Sequence, residues 1–258
     1  MEEPLRGGDG GGVSRVGRIV RRRPGPAAAA VHALLCHLRD AGFDGAPLPL
    51  GFDDQGREVL TFIEGEVFDG PVPDLMWGDP VLENAGSFLR RFHDATVGFE
   101  PPADTPWVVE QPGDLPVEVM CHNDVALYNV VFRDGRIAGI IDFDAISPGA
   151  RVWDVAHAAY RFVPLSRGEA PAHLAEPSEQ ARRLRLFCDA YGLKRDARVE
   201  VADVVVRRVA ALRDLLVEGA ADGDEASVKH LAEGDAALYE DDVAYVLSIR
   251  ATLEAALV

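Results

Sequence analysis

"CHNDVALYNVVFRDGRIAGIIDFD", residues 121–144, decides the fold, because it predicts a β-hairpin with polar residues at its open end. Asp134-Gly135 is a residue pair that two-residue turns with positive φ favour. The flanking segments NVVFR and RIAGIIDF are rich in the β-branched and aromatic residues typical of strands. Asp124 and Asp142 therefore flank a short apolar hairpin whose strands must be largely buried.

Counting from this turn predicts which polar side chains share a face. The two-residue turn pairs Arg133 with Arg136, and the same register pairs Asn129 with Ile140. Asp142 lies two residues beyond Ile140, so Asn129 and Asp142 are expected on one face, about 7–8 Å apart between backbones. An amide oxygen and a carboxylate are hard oxygen donors that suit Mg²⁺. The register therefore predicts a magnesium site.

Asp124 precedes Asn129 by five residues, in a loop expected to return to the same end of the hairpin. A carboxylate there can accept a proton from an attacking hydroxyl group. A base beside a metal site matches the requirements of phosphoryl transfer. The alternative is that Asp124, Asn129 and Asp142 are only turn and strand-end residues.

These residues form a spaced motif, HND(x4)N at 122–129 followed by IIDFD at 140–144, with WDVAH at 153–157. The motif resembles that of the aminoglycoside phosphotransferase family, small-molecule kinases related in fold to protein kinases. Protein kinases carry H-R-D-x-x-x-x-N and then D-F-G. Here Asn123 stands in place of Arg and Asp144 in place of Gly, and both changes suit the small-molecule branch.

The resemblance covers most of residues 7–165 and implies a fold class and a function. The implied fold is α+β, two-lobed and protein-kinase-like. A short β-rich N-terminal lobe, residues 1–65, would bind nucleotide, and a mainly helical C-terminal lobe, residues 66–258, would carry catalysis and substrate binding. The implied cofactors are ATP and Mg²⁺, and the implied partner is a small-molecule hydroxyl acceptor.

The resemblance also implies a role for each polar residue of the motif: catalytic base for Asp124, metal ligands for Asn129 and Asp142, structural roles for His122 and Asp154, and a substrate contact or supporting role for Asp144. Independently of the resemblance, His122 is expected to be a hydrogen-bonded core residue. Asp154 opens an apolar helical segment, so an N-cap is the alternative to a role in bracing the catalytic loop.

The nucleotide lobe carries weaker signals. The segment GGDGGGVS, with Gly10, Gly11, Gly12 and Ser14, could let backbone N–H groups approach phosphate, and a flexible tail is the alternative. Backbone groups near Phe62 and Ile63, in LTFIEGE, would meet adenine by the same resemblance.

The basic residue that meets the phosphates in this family is normally Lys, and Arg22 is expected to replace it. The next helix of the family usually carries a Glu that pairs with this residue, but the helix predicted in AAAAVHALLCHLRDAG has no acid before Asp40. Either the pair is absent and Arg22 is loosely held, or another acid replaces the Glu. An absent pair, together with the short first lobe, would favour a catalytically weak nucleotide- or ligand-binding module of the same fold.

Charge and composition narrow the classes of binding partner and the cellular compartment expected for the protein. The net charge is −17, which opposes binding to nucleic acid or anionic membranes and favours cationic partners. The acidic segment 233–242 is either a solvated helix face or one wall of a cleft that attracts an amine-rich acceptor such as an aminoglycoside. Three scattered cysteines and no apolar leader or membrane-spanning run favour a cytoplasmic protein.

The leading hypothesis is an ATP-dependent phosphotransferase acting on a small molecule, with antibiotic resistance as one setting for such an enzyme. A metal-dependent phosphoesterase built on the same acids is a further alternative. The Gly-rich start and the segment at 60–66 count against it.

Overall fold

The computed structural model of the chain describes residues 2–5, 12–68, 70–166 and 171–258. By their contacts, the residues form two compact units, the first made of 1–72 and 88–151, and the second of 73–87 and 152–258. The lobe boundary expected at residue 65 remains a prediction.

A five-stranded antiparallel sheet lies in the first unit, in the order β1-β2-β3-β5-β4. Its strands are β1 (Glu3–Pro4), β2 (Ser14–Val16), β3 (Ile19–Arg22), β4 (Pro49–Phe52) and β5 (Glu58–Thr61). Gly17, at φ +60°, forms the turn between β2 and β3, and Gly56, at φ +74°, lies in the turn before β5. The sequence predicts both turns, since Val13, Val16, Ile19 and Val20 indicate short strands around Gly17 and Asp53 to Gly56 indicates a turn between two strands.

Helix α1 (Ala28–Asp40) connects β3 to β4. Apolar residues recur along it at helical spacing, and this face is buried at Val31, Leu34, Leu35 and Leu38. The chain leaves the helix through Gly42 at φ +79°, a conformation that glycine adopts without cost. The predicted helix and its buried face are confirmed.

The rest of the first unit contains two short β-ladders and the end of a long helix. Strands β6 (Val119–Cys121) and β9 (Ser147–Gly149) pair antiparallel, and so do β7 (Val130–Arg133) and β8 (Arg136–Ile140). Helix α2 (Asp79–Thr96) contributes its residues 88–96 to this unit, where Phe88, Leu89 and Phe92 are buried. The amphipathic pattern of residues 81–95 predicts this helix, and both the helix and the predicted hairpin are present.

The second unit is helical. Its helices are α3 (Arg151–Phe162, which begins at the last residue of the first unit), α4 (Pro177–Tyr191), α5 (Arg195–Arg198), α6 (Val201–Ala221), α7 (Glu225–Glu233) and α8 (Asp235–Leu257). The sequence predicts a helix that is capped by Ser178 and ends at Gly192. Helix α4 does end at Gly192 in the left-handed region, but it begins after Glu176, so Ser178 lies inside the helix. In the part of the chain described, none of the helices is both long and apolar enough to cross a membrane.

Buried polar contacts fix the interior of the second unit. The guanidinium of Arg183, whose side chain is 2% exposed, donates to the carbonyl oxygens of Trp77 at 2.8 Å and Phe162 at 2.9 Å. The Tyr160 hydroxyl donates to Asp242 Oδ2 at 2.7 Å, and Asp242 is fully buried. Asp242 is therefore a core residue, and the hypothesis that it helps to form an exposed acidic wall is wrong.

Candidate active site

The hairpin has the predicted turn but a shifted register. Arg133 pairs with Arg136 as counted from the turn, but a bulge near Val131 makes Val130, not Asn129, the partner of Ile140. The predicted pairing of Asn129 with Ile140 is therefore wrong. An extra residue on one strand of an antiparallel pair moves every later partner by one.

Asp142 lies beyond the strand, so the alternation used to place it does not apply. Its backbone is in the left-handed region at φ +65°, where Asn and Asp are the commonest residues after glycine. The residue before it, Ile141, donates its N–H to the carbonyl oxygen of Asn129 at 2.9 Å. A backbone hydrogen bond rather than a shared strand face therefore relates Asn129 to the segment that carries Asp142.

The Asp124 carboxylate is held on both oxygens. The Tyr128 hydroxyl donates to Oδ1 at 2.7 Å, and the Asn129 amide nitrogen donates to Oδ2 at 2.7 Å and to the Asp124 carbonyl oxygen at 3.0 Å. These bonds close the loop 124–129 on itself and fix the orientation of a half-buried carboxylate. The sequence did not indicate Tyr128, because its hydroxyl acts through a local bond that spacing does not predict.

Two buried side chains attach this loop to the segment that follows the hairpin. His122 Nε2 lies 3.1 Å from the carbonyl oxygen of Ile141. The Asn123 amide nitrogen donates to the Ala145 carbonyl oxygen at 2.8 Å and to Ser147 Oγ at 2.9 Å. His122 is fully buried and Asn123 is 1% exposed, so both occupy core positions beside the loop.

Arg22, at the end of β3, meets three carboxylates. Its Nε donates to Glu58 Oε2 at 2.6 Å, and its Nη1 donates to Asp142 Oδ1 at 3.2 Å. Asp144 accepts from Nη1 at 3.1 Å and from Nη2 at 2.6 Å. The Arg22 side chain is 12% exposed, so the expectation that it is loosely held is wrong.

The acid that pairs with Arg22 comes from a strand instead of a helix. Glu58 begins β5 directly opposite Arg22 in the β3–β5 ladder, and it is fully buried. Helix α1 contributes His32, whose Nε2 lies 2.9 Å from Glu58 Oε1. The family pattern points to a helix acid and therefore did not indicate Glu58. The sequence feature that could have indicated it is a lone acid at the start of the apolar run EVLTF.

Burial and the clustered charges shift the pKa values of two members. Partial burial raises the pKa of Asp144 and the nearby charge of Asp142 adds to this effect, although Arg22 opposes it. Burial alone would lower the pKa of Arg22, but Asp144, Glu58 and Asp142 outweigh it and the pKa of Arg22 is raised. Arg22 is therefore a permanent positive charge beside Asp142 and Asp144.

The expected phosphate-binding loop is described only in part. Gly10 and Gly11 lie outside the described residues. Gly12 is exposed at φ +87°, with open space where a Cβ would be. Ser14 is buried in β2 and donates through Oγ to Glu2 Oε1 at 2.5 Å.

Three further predicted residues have structural contacts. The Phe62 N–H donates to the Arg18 carbonyl oxygen at 2.9 Å. The side chain of Ile63 packs so closely that a Cβ added at Gly139 would lie 2.7 Å from Ile63 Cδ1. Asp154 is fully buried in the first turn of α3, which begins at Arg151, so the alternative that Asp154 is an N-cap is wrong.

The residues present fit a magnesium ion by their chemistry. The Asn129 amide nitrogen is committed to Asp124, which leaves Oδ1 as the atom of this side chain available to a cation. The side chains of Asp142 and Asp144 are 41% and 43% exposed, and they supply carboxylate oxygens beside Arg22. Such hard oxygen donors, one or two of them carboxylates, suit Mg²⁺ bound together with a nucleotide.

Comparison with known proteins places this site in a family. Residues 108–187 match the model of the phosphotransferase enzyme family. The trifolitoxin immunity protein of Rhizobium leguminosarum bv. trifolii is 35% identical over 209 residues, which span 78% of this chain and 78% of that protein.

Solved structures resemble the whole chain. The GDP complex of aminoglycoside 2′-phosphotransferase-IIIa has a TM-score of 0.63 at 16% identity, covering 95% of this chain and 92% of that one. A choline/ethanolamine kinase family protein from Mesorhizobium loti has a TM-score of 0.61 at 16% identity, covering 100% and 92%. An amicoumacin kinase in complex with AMP-PNP and Ca²⁺ has a TM-score of 0.61 at 12% identity, covering 98% and 88%. The predicted protein-kinase-like α+β fold of the small-molecule kinases is confirmed.

Proposed function

Because the chain belongs to the phosphotransferase enzyme family, we propose that it transfers the γ-phosphate of ATP to a hydroxyl group of a small molecule, with Asp124 as the general base. The observation that carries this proposal is the Asp124 carboxylate, oriented by Tyr128 and Asn129 in a loop that also presents an amide oxygen. A fixed carboxylate beside hard oxygen donors is the arrangement that phosphoryl transfer requires.

Each polar residue of the site has one role in the proposed reaction. Asp124 accepts the proton of the acceptor hydroxyl while that oxygen bonds to the γ-phosphorus, and the bond from the γ-phosphorus to the bridging oxygen of ADP breaks. Asn129 and Asp142 would hold Mg²⁺, which when bound neutralises negative charge on the phosphates. Arg22 would offer its terminal nitrogens to phosphate oxygens, since a guanidinium matches phosphate geometry.

The acceptor class is inferred from charge. A net charge of −17 attracts cations, so an amine-bearing hydroxyl compound such as an aminoglycoside is the favoured acceptor. The related immunity protein is named for protection against a toxin. By the present proposal, this chain would inactivate a toxic compound by phosphorylating it. Asp242 contributes nothing to this attraction at a surface, because it is buried.

The alternative of a catalytically weak binding module loses one of its two grounds. It rested on the missing helix acid and on the short first lobe, and Glu58 supplies an acid to Arg22 from β5. A cytoplasmic location, where ATP and Mg²⁺ are available, is part of the same proposal.

The test is ADP release by the purified chain with MgATP and a panel of aminoglycosides, other antibiotics and amino alcohols. The proposal expects ADP release above the acceptor-free rate with at least one amine-bearing compound, and a mass increase of one phosphate group on that compound. Release of inorganic phosphate from phosphate esters without ATP would instead support a phosphoesterase. Failure to bind nucleotide in the presence of Mg²⁺ would contradict the proposal.

A further inference from the structure

We propose that Glu58 is a positioning residue for phosphoryl transfer, which takes over from strand β5 the part that the family assigns to a helix glutamate. This inference rests on the proposed function, since it concerns how Arg22 is aimed at nucleotide phosphates. It adds to that function a residue that neither the motif nor the family pattern indicates.

The register of the sheet places Glu58 directly beside Arg22. The two residues are direct partners in the β3–β5 ladder, and residues opposite each other in a ladder project from the same face. Glu58 is fully buried and Arg22 is 12% exposed. A buried carboxylate is stable only when it is paired, so the Arg22–Glu58 contact is a constant feature of the folded sheet.

The chemistry of the contact explains what it does. Glu58 Oε2 accepts from Nε of Arg22 at 2.6 Å and leaves both terminal nitrogens free of the sheet. Those two nitrogens reach the carboxylates of Asp142 and Asp144 at 2.6 to 3.2 Å. Because the guanidinium is planar, fixing Nε fixes the direction of the other two nitrogens. Glu58 therefore turns the guanidinium toward the aspartates that flank the proposed phosphate site.

Helix α1 places a histidine beside the same cluster. His32 Nε2 lies 2.9 Å from Oε1 of Glu58, the carboxylate oxygen that Arg22 does not use. The ring of His32 stacks on Phe52 of β4, with centroids 4.8 Å apart and planes 15° from parallel. In this chain the helix therefore contributes a histidine near Glu58, whereas in the family a helix acid pairs with the basic residue directly.

The first experiment compares Glu58→Gln with the wild type. Glutamine keeps the size of the side chain and can still accept from Nε, but it lacks the charge that makes the hydrogen bond strong. We expect MgATP affinity to fall about 10-fold, since the weaker hydrogen bond no longer fixes the direction of the Arg22 guanidinium. Acceptor affinity should stay within about 2-fold of the wild-type value, as expected for a change that moves no acceptor contact.

The matched control is Asp53→Asn, which removes the charge of another arginine-paired carboxylate, in the turn that follows β4. Asp53 pairs with Arg57 at 2.8 Å and lies 3.6 Å from Nε of Arg21, whereas the ion pairs of Arg22 among the described residues are with Glu58, Asp142 and Asp144. Unchanged MgATP affinity in Asp53→Asn with a fall in Glu58→Gln supports the inference. Equal affinity in wild type and Glu58→Gln overturns it, while failure of the wild type to bind MgATP overturns the proposed function instead.

A measurement on the wild-type fold keeps the inference testable if Glu58→Gln does not fold. The Nε–H resonance of Arg22, assigned with the variant Arg22→Lys, is expected to be protected from solvent exchange and to persist when MgATP is added. Such persistence is expected because Glu58 holds Nε while only the terminal nitrogens change partners. A resonance that exchanges rapidly, or that loses protection on addition of MgATP, would overturn the inference.

Discussion

Single side chains determine which charges of the hairpin belong to the proposed metal site. Asp142 and Asp134 are both exposed acids in the left-handed region, at φ +65° and φ +53°, yet only Asp142 has an ion pair with Arg22. Because Asn also tolerates this conformation, each can be neutralised without backbone strain. The pair therefore separates the effect of charge at the proposed metal site from the effect of charge elsewhere on the hairpin.

We expect Asp142→Asn to weaken Mg²⁺-dependent nucleotide binding by about 10-fold or more, because loss of one charge-bearing ligand removes a main attraction for the ion. Asn129→Ala should weaken it less, since it removes a neutral donor. Titration of nucleotide with and without Mg²⁺ measures both effects, and Asp134→Asn is the control. A Mn²⁺ ion found away from Asn129 and Asp142 would refute the ligand assignment.

The limits of sequence reasoning are visible at this scale. Asp124, Asn129 and Asp142 were found because the spacing of the motif is local. Glu58 was not found because its partner is 36 residues away along the chain. The register between β3 and β5, which are separated by a helix and another strand, cannot be counted from a turn as that of a hairpin can.

At the scale of elements, the loop between β6 and β7 depends on one residue. Asn123 combines a left-handed backbone at φ +66° with a buried amide that bonds to Ala145 and Ser147. Asn123 is part of the motif found in the sequence. It did not predict the backbone conformation, because left-handed residues in irregular loops have no periodic signature.

Two variants of Asn123 separate its two contributions. Asn123→Gly keeps the positive φ but loses the amide, and we expect a loss of about 1–3 kcal/mol in the free energy of unfolding. Asn123→Ala also loses the amide, and its Cβ disfavours the positive φ, so the free energy of unfolding should fall by about 1 kcal/mol more. Urea unfolding measures the difference; equal stabilities of the two variants would show that the backbone conformation carries no cost.

In the hairpin, the predicted turn is correct but the register counted from it is wrong for Asn129. The turn and the first pairs followed from Asp134-Gly135, but the bulge near Val131 shifted Asn129 by one position. A bulge depends on how the strand packs beyond its own sequence, so local pattern does not indicate it.

At the scale of the whole molecule, burial of polar groups makes stability depend on pH. Burial raises the pKa of Tyr160 well above its ordinary value and, against the opposing charge of Arg161, the hydrogen bond to Asp242 also raises it. Above pH about 10 the unfolded chain ionises this tyrosine while the folded chain keeps it protonated. The folded state then binds more protons, so the stability that Tyr160 contributes is lost as pH rises above about 10.

Tyr160→Phe tests this statement. Between pH 10 and 11 the free energy of unfolding of the wild type should fall by about 1 kcal/mol more than that of the variant, because the unfolded tyrosine is already half ionised at pH 10. Urea unfolding at pH 9, 10 and 11 provides the comparison. Parallel pH profiles would mean that Tyr160 ionises in the folded protein as readily as in the unfolded chain.

The central claim is that Asp124 is the base of a phosphoryl transfer, and Asp124→Asn tests it most directly. The isosteric amide keeps the shape of the loop but cannot accept the proton, so turnover of MgATP with its acceptor should fall about 10²-fold or more. MgATP affinity and the urea unfolding midpoint should stay close to those of the wild type. Near-normal turnover in a folded Asp124→Asn variant that binds MgATP would contradict the account.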